Sequence, residues 1–328
     1  GIPLTPIHRG QLPHESIRVV ALSESSGEFA VASVTGRLQT YSTKGFQARR
    51  EYSLPGPVAH VQFVNSGRVL AAVTEDGTGR IWQINSNPME IAFSVQATSQ
   101  YADASGDGRF IALGGLVYDT QTDQIAGEPL NHVVLAALEV RGSTVLTAGS
   151  HDQRVVVRNV QSGLRNDWET QSRISSAALL SDERHVLIAT HDASATLWEI
   201  DGPGGPRPLK TWNTPGSHAL VECARNTPVC AIADETRLQV ISNVDLETGF
   251  SADLDSPVWT MAISEDGENV TVGDADGYVQ LWDTRSKTAS PRIQAFDSQV
   301  YTLDLGKHFL IAGGYDGSFA LFQFRSEP

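Results

Sequence analysis

A pattern that recurs about every 40 residues is the feature of this chain that most restricts its fold. The clearest copy is PVWTMAISEDGENVTVGDADGYVQLWD, from Pro257 to Asp283. Aligned to the second residue of that copy, the eight copies start at Ile17, Val58, Ser99, Val133, Ile174, His218, Val258 and Val300. A period of this length indicates a chain built from similar supersecondary units that pack side by side.

Each copy contains the same series of strand and turn signals. A short first strand of small and β-branched residues, such as residues 261–264, precedes a polar or Gly-containing turn and an apolar second strand. A turn, built on Asp in most copies, then leads to a third strand that alternates and in most copies ends on a large residue. Four-stranded units at this period are typical of propeller blades. We therefore predict an all-β fold, a β-propeller of eight blades, with seven as the alternative count.

The turn before the third strand carries an aspartate in most copies. Asp favours such turns because its carboxylate accepts hydrogen bonds from neighbouring backbone N–H groups. The residues to which we assign this structural role are Asp76, Asp152, Asp192, Asp276 and Asp316. The third copy lacks the turn, since residues 111–115 lead directly to residues 116–119. We still expect a blade there, because its first turn and its Tyr-Asp ending are present.

The two ends of the chain predict how the ring closes. The eighth copy ends so near the C-terminus that no room remains for its outer strand, whereas residues 4–9 precede the first copy. We expect residues 4–9 to supply that strand, since a closed ring leaves no open sheet edge. Residues 1–328 would then form a single domain.

The seventh copy resembles the WD40-repeat family. The residues that carry the resemblance are Trp282-Asp283, Asp276-Gly277 and the turn at 264–267, and the likeness extends over about residues 4–324. It implies a non-catalytic platform that binds proteins or peptides. The Gly-His dipeptide that the family places before the first strand is nearly absent, with remnants at His132 and His218. The side-chain network that this dipeptide supports is therefore in doubt here.

Charge and composition favour a protein partner. The formal net charge is −14, which repels nucleic-acid phosphates and suits a basic protein or peptide. No apolar run approaches the roughly 18 residues that a membrane span needs, and no secretory leader is visible. We expect Cys223 and Cys230, on either side of a turn at 225–228, to be buried thiols in a reducing compartment. The prediction is a monomeric propeller in the cytoplasm, the sensor or scaffold module of a larger intracellular protein, without cofactor or metal.

Motifs for catalysis are missing from the sequence. Neither GxSxG nor HExxH occurs, and we interpret His151 and His191, each beside a turn Asp, as turn residues and not metal ligands. The alternative is a propeller enzyme, a hydrolase or oxidoreductase with its site in the central channel. The first strands are mostly apolar, and their polar residues lie in different blades, so they need not converge. These residues are His60, Asp103, Glu139, Glu222 and Asp304.

A partner site is predicted on one face of the ring. In a propeller, the loops that enter the innermost strands and the turns between second and third strands open on the same face. Trp259, Tyr301 and Arg18 would lie there on adjacent blades, and these residue types dominate interface hot spots. We expect this sector to bind a segment that carries Lys or Arg, the alternative being that the aromatic residues only pack. The candidate partner-binding residues are Arg18, Gln100, Trp259, Asp274, Tyr301, Tyr315 and Asp316.

Overall fold

The computed structural model describes residues 1–84, 90–94, 98–132, 134–242 and 247–325. Within these ranges the chain forms β-strands, and no helix is present that is long and apolar enough to cross a membrane. The strands form eight antiparallel sheets, seven of four strands and one of five. The prediction of an all-β propeller with eight blades is confirmed.

Strands are numbered along the chain, so β1 (Thr5–Gln11) precedes the first blade. Blade 1 contains β2 (Ile17–Ser23), β3 (Glu28–Ser33), β4 (Arg37–Ser42) and β5 (Ala48–Ser53). Blade 2 contains β6 (Val58–Val64), β7 (Val69–Thr74), β8 (Thr78–Gln83) and β9 (Glu90–Ser94). Blade 3 contains β10 (Ala102–Ala104), β11 (Phe110–Leu113), β12 (Leu116–Asp119) and β13 (Gln124–Ile125). Blade 4 contains β14 (Leu135–Arg141), β15 (Thr144–Gly149), β16 (Arg154–Asn159) and β17 (Arg165–Glu169).

The second half of the ring repeats this order. Blade 5 contains β18 (Ile174–Leu179), β19 (His185–Thr190), β20 (Ser194–Glu199) and β21 (Arg207–Asn213). Blade 6 contains β22 (Leu220–Cys223), β23 (Val229–Ala233), β24 (Arg237–Ser242) and β25 (Thr248–Asp253). Blade 7 contains β26 (Val258–Ile263), β27 (Asn269–Asp274), β28 (Tyr278–Asp283), β29 (Thr288–Ala289) and β30 (Ile293–Gln294). Blade 8 contains β31 (Val300–Leu305), β32 (Phe309–Gly314), β33 (Ser318–Gln323) and β1.

The first strands of the blades surround the axis of the ring. Each of them contacts the first strand of both neighbouring blades, and β31 contacts β2, so the circle is complete. The predicted start of the fourth copy, Val133, lies outside the described residues, and the inner strand of blade 4 begins at Leu135. Blade 3 is the most reduced blade, because Gly114 and Gly115 alone connect β11 to β12. It nonetheless keeps four strands, so the blade that the sequence predicted there is a complete sheet.

The N-terminal segment closes the ring as predicted. β1 pairs antiparallel with β33, with Pro6 opposite Phe322. The Arg9 side chain also donates hydrogen bonds to the carbonyl oxygens of Gln294 (3.0 Å) and Ala295 in blade 7. Leu12, just past the end of β1, is buried among apolar residues of blades 8 and 1. The segment therefore ties blade 8 to both neighbouring blades.

The two cysteines contradict the prediction of free thiols. Cys223 and Cys230 lie directly opposite each other on β22 and β23 and form a disulfide. The sequence placed them on facing strands, and facing side chains of an antiparallel pair stand close enough for a bond between their sulfurs. The prediction of free thiols is wrong because it took the oxidation state from an assumed compartment and not from the facing strands.

Candidate functional site

Six of the eight inner strands begin with a β-bulge. At each one, a single residue has no partner in the register with the second strand, and a bulge of this kind re-aims a side chain. The residues at the bulges are Arg18, Ala59, Ala136, Ser175, Trp259 and Tyr301. They encircle one end of the central channel, which we call the mouth. Among these six bulge residues, the three with large side chains, Arg18, Trp259 and Tyr301, belong to the consecutive blades 7, 8 and 1.

Three aromatic side chains form a patch at the mouth. The Trp259 and Tyr301 rings lie 6.4 Å apart between centroids, and Tyr301 lies 6.0 Å from Tyr315. Trp259 is 49% exposed and Tyr315 is 57% exposed, which are high values for residues of this size. We call Trp259, Tyr301 and Tyr315 the mouth patch. The sequence predicted its members, and the structure brings them together.

Arg18 supports the mouth patch from blade 1. One guanidinium nitrogen lies 3.1 Å from the Tyr301 hydroxyl, and the group lies 5.9 Å from the centre of the same ring. The other terminal nitrogen makes an ion pair with Glu75 of blade 2. Because these contacts occupy the guanidinium, Arg18 orients Tyr301 and its charge is balanced.

Exposed carboxylates surround the mouth patch. They lie in the loops and turns of blades 7 and 8 on the same face of the ring, and the residues are Asp255, Asp276, Asp297 and Asp316. Among them, Asp276 keeps 67% of its side chain exposed. The sequence reasoning did not single out Asp255 and Asp297, although both belong to loops that lead into an inner strand. This part of the face combines exposed aromatic surface with negative charge.

Two aspartates of blade 7 have exchanged the roles that we predicted. Asp274, a candidate for partner contact, is buried and accepts hydrogen bonds from the backbone N–H groups of Asp276 (3.0 Å) and Tyr278 (2.9 Å). Its other oxygen accepts two bonds from the Arg292 guanidinium. Asp276, assigned to the turn, accepts a hydrogen bond from the Ser256 hydroxyl and lies 3.7 Å from the Arg292 guanidinium, with 67% of its side chain exposed. Asp274 thus stabilises this turn.

The other turn aspartates do accept hydrogen bonds within their turns. Asp76, Asp152 and Asp316 accept from the N–H groups two residues ahead, at 3.0, 3.2 and 3.0 Å. Asp192 accepts from the hydroxyls of Thr190 and Ser194. The Thr74 and Thr190 hydroxyls lower the pKa of Asp76 and Asp192, respectively, because a hydrogen bond to a carboxylate favours its ionised form.

Gln100 lies apart from the mouth patch. It is exposed on blade 3, beside a notch of about 480 Å³ that Tyr101 and Leu135 also line. Blades 4 to 6 separate this position from blade 7 in one direction, and blades 1 and 2 separate it from blade 8 in the other. The structure does not bring Gln100 together with the other candidates.

One copy contains the side-chain network that the sequence left in doubt. In blade 4, His132 lies with Nδ1 3.1 Å from the Asp152 carboxylate and Nε2 2.8 Å from the Thr147 hydroxyl. Burial lowers the pKa of His132, so the ring is neutral at pH 7. His218, the other remnant, instead packs edge-on against His191 at 4.7 Å.

Four carboxylates meet in the central channel, where the sequence did not require them to converge. They occupy equivalent positions on the inner strands of four blades, and they are Asp103, Glu139, Glu222 and Asp304. We call these four residues the channel layer. They line a cavity of about 1000 Å³ that opens on the face opposite the mouth patch. Asp103, Glu222 and Asp304 each stand four residues after the aligned start of their copy. This shared position could have been recognised in the sequence.

Most of the channel layer is bonded to neighbouring blades. Asp103 accepts from the Val140 N–H at 2.7 Å, Glu139 from Leu179 at 2.9 Å and Asp304 from Leu22 at 2.7 Å. In each case the donor belongs to the next blade of the ring. These carboxylates therefore link adjacent inner strands, in addition to the apolar packing between blades.

Two arginines cross the channel. Arg225, which follows β22 in blade 6, reaches Asp103 of blade 3 at 3.3 Å, and Arg141 of blade 4 donates to the Cys223 carbonyl of blade 6 at 3.2 Å. Arg141 also pairs with Glu139 at 3.3 Å. No group of His, Cys, Asp and Glu among the described residues has the arrangement of a metal site.

Comparison with known proteins agrees with this architecture. Residues 246–283 match the family "WD domain, G-beta repeat", or WD40. The chain is 22% identical over 330 residues to telomerase protein component 1 of Mus musculus. The matched region covers 88% of this chain and 12% of that protein. The chain therefore spans about an eighth of the length of this curated relative. A crystal structure of the computationally designed Ika8 protein covers 98% of this chain and all of its own, at 17% identity and a TM-score of 0.77.

These findings confirm the resemblance on which the sequence analysis relied. The match covers the outer strand of blade 6 and the first three strands of blade 7, and the structure around it is an eight-bladed propeller, the count that the repeat predicted. Propellers of this family are typically non-catalytic. At this coarse level, the chain is a platform for binding proteins.

Proposed function

We propose that the mouth patch binds a peptide segment of a partner protein, and that the segment carries Lys or Arg. The observation that carries the proposal is the exposure of Trp259 and Tyr315 on either side of Tyr301. Exposed aromatic clusters of this kind supply the hot spots of protein interfaces.

Charge complementarity selects the chemistry of the segment. The four exposed aspartates around the mouth patch favour a cationic side chain over an anionic one. Arg18 does not oppose this preference, because Glu75 balances its charge. A Lys or Arg side chain would gain from the carboxylates and from stacking on an aromatic ring. The same charges, with a net charge of −14, disfavour nucleic acid.

We further propose that residues 1–328 act as one monomeric binding unit, the sensor or scaffold module of a larger intracellular protein. The match to only 12% of a much longer relative supports the idea of a module. A cytoplasmic location is part of the proposal, although the Cys223–Cys230 disulfide weighs against it because such bonds are rare in that compartment. Blocking thiols at lysis and measuring the Cys223–Cys230 bond by mass spectrometry tests the location.

The channel layer is a specific observation in favour of the alternative function, an enzyme with its site in the central channel. Clustered carboxylates, with His60 lying 3.6 Å from Asp103, are a feature that a channel enzyme requires. Against it, Asp103, Glu139 and Asp304 already bond backbone N–H groups of neighbouring blades. Metal analysis of the purified protein discriminates, since one bound metal per chain would favour the enzyme.

A peptide-array screen tests the proposed function. Arrays of sequences with and without Lys and Arg are probed with the wild-type protein and with the double variant Trp259→Ala, Tyr315→Ala. We expect binding to basic sequences, and a loss of at least about 30-fold in affinity for the double variant, as for two hot-spot residues.

The matched control is Leu164→Ala, which removes an equally exposed apolar side chain (64%) from the outer part of blade 4. The control should bind as the wild type does. Equal affinities of the wild type and the double variant, with both proteins folded by circular dichroism, would overturn the proposal.

A further inference from the structure

The channel layer contains more negative charge than its neighbours balance. It has four carboxyl groups, and two arginines reach into it. Among the described residues, Asp103, Glu139 and Asp304 have hydrogen-bond donors as partners, whereas the Glu222 carboxyl has neither a hydrogen bond nor an ion pair. Carboxylates that share one enclosed space cannot all ionise without strong repulsion. Glu222, the carboxyl without a hydrogen-bond donor, is therefore the member of the channel layer that takes up a proton at the lowest cost in free energy.

We propose that the channel layer is a pH-sensitive brace, in which two crossing arginines balance only part of the negative charge, so that the ring weakens when Glu222, the carboxyl without a donor, loses its proton. The brace is built across the channel, because Arg225 and Arg141 connect blade 6 to blades 3 and 4. A negative charge on Glu222 repels Glu139 and Asp103, which hold the neighbouring inner strands together.

The groups that face Glu222 come from several blades. They are Asp103 on β10, Glu139 and Arg141 on β14, and Arg225 after β22, with His60 on β6, Asp304 on β31 and Glu265 after β26 at the edge of the cluster. Burial and the nearby Glu139 raise the pKa of Glu222 to about 8. Burial also raises the pKa of Asp304 to about 6, despite its two backbone donors.

The direction of the pH effect follows from these shifts. The pKa of Glu222 rises from 4.5 to about 8 on folding, so the folded protein binds this proton more tightly than the unfolded chain. The stability that it contributes is complete below pH 4.5 and is lost as the pH rises to about 8. Burial lowers the pKa of His8, His132 and His191, so these groups are already neutral above pH 7.

The test compares the wild type with Glu222→Gln, which keeps the shape of the side chain and cannot ionise. Urea unfolding is measured from pH 6 to 9. The unfolding equilibrium constant of the wild type should rise with pH by up to about tenfold per unit, the limit for one proton, and the rise should be smaller in the variant. Glu265→Gln, an exposed carboxyl at the edge of the same channel, should behave as the wild type.

A second measurement does not depend on the variant. Infrared difference spectra of the wild type should show a protonated carboxyl band at pH 7 that disappears by pH 9, a range in which Asp304, with a pKa of about 6, is already mostly ionised. Parallel pH curves for wild type and Glu222→Gln would overturn the proposal. If Glu222→Gln does not fold, absence of the titrating band in the wild type would overturn it as well.

Discussion

The two ends of the central channel differ in how their side chains are used. At the mouth, Trp259 and Tyr315 are half-exposed, and their rings lie 6.4 and 6.0 Å from the Tyr301 ring, tilted by 38° and 43°. Inside the channel, Asp103 is buried and bonded to blades 4 and 6. Tyr301 and Asp304 lie three residues apart on the same inner strand, β31, whereas the other members of the two sets lie on different strands or turns.

This difference separates structural residues from candidate binding residues. A buried charge needs a partner, and in the channel Asp103, Glu139 and Asp304 accept hydrogen bonds from neighbouring blades, so these three carboxylates hold the blades together. Exposed aromatic side chains contribute little to folding and keep their surface for a partner. We therefore propose the partner site at the mouth on the ground of exposure and not of charge alone.

The largest expected effect is in the channel. Asp103→Ala removes the acceptor of the Val140 N–H and leaves Arg225 without its carboxylate. Removing one partner of a buried pair typically costs about 3–5 kcal/mol, and we expect a loss in this range. Urea unfolding measures it. The control, Asp255→Ala at the mouth, should leave the free energy of unfolding nearly unchanged. Similar losses of stability in both variants would contradict the proposed difference between the channel and the mouth.

A second prediction contrasts the channel carboxyls with those that end the third strands. Asp119 of blade 3 is buried beside Arg109, and this guanidinium lowers the pKa of the carboxyl below its ordinary value of 3.8. Asp119→Asn should cost about 1.5 kcal/mol at neutral pH, as for a charged hydrogen bond. The stability that Asp119 contributes is present above pH 3.8 and is lost as the pH falls through the folded pKa.

Unfolding measured from pH 2 to 7 checks this sign. The wild type and Asp119→Asn should converge in the acid range, which is the opposite of the behaviour expected for Glu222 above pH 7. A constant difference between the two proteins down to pH 2 would contradict the role assigned to the ionised carboxylate.

The smallest expected effect on stability is at the mouth. Trp259→Ala removes a half-exposed side chain at a bulge, and we expect the free energy of unfolding to change by no more than about 0.5 kcal/mol. Trp282→Ala in the same blade is the matched comparison, because Trp282 is buried. That variant should lose about 3–5 kcal/mol. A large loss for Trp259→Ala would mean that the mouth patch packs and does not bind.

The repeat made most of the fold predictable. The period and the turn residues led to eight blades, and the unpaired ends of the chain led to the closure by β1, because both depend on local patterns. The convergence of the channel layer was missed, since it depends on register across four blades. In blade 4 the aligned start, Val133, stood two residues before the observed start at Leu135, which hid the equivalence of Glu139.

The candidate site was partly predictable. Strand-entry positions pointed to Trp259, Tyr301 and Arg18, but the sequence did not show that Glu75 holds Arg18 in place. It also assigned the wrong one of two neighbouring carboxylates to the turn of blade 7, because Arg292, 18 residues beyond Asp274, selects it. Pairings of this kind arise from tertiary contacts and have no signature in a single repeat.

The most direct test of the account is a hydrogen-exchange footprint of the protein with a basic peptide selected from the array. The account predicts slower exchange in the loops of blades 7 and 8 around the mouth patch, near Asp255, Asp297 and Tyr315, with the opposite end of the channel unchanged. Protection confined to the opposite end, near Gly142 and Asn226, would contradict it.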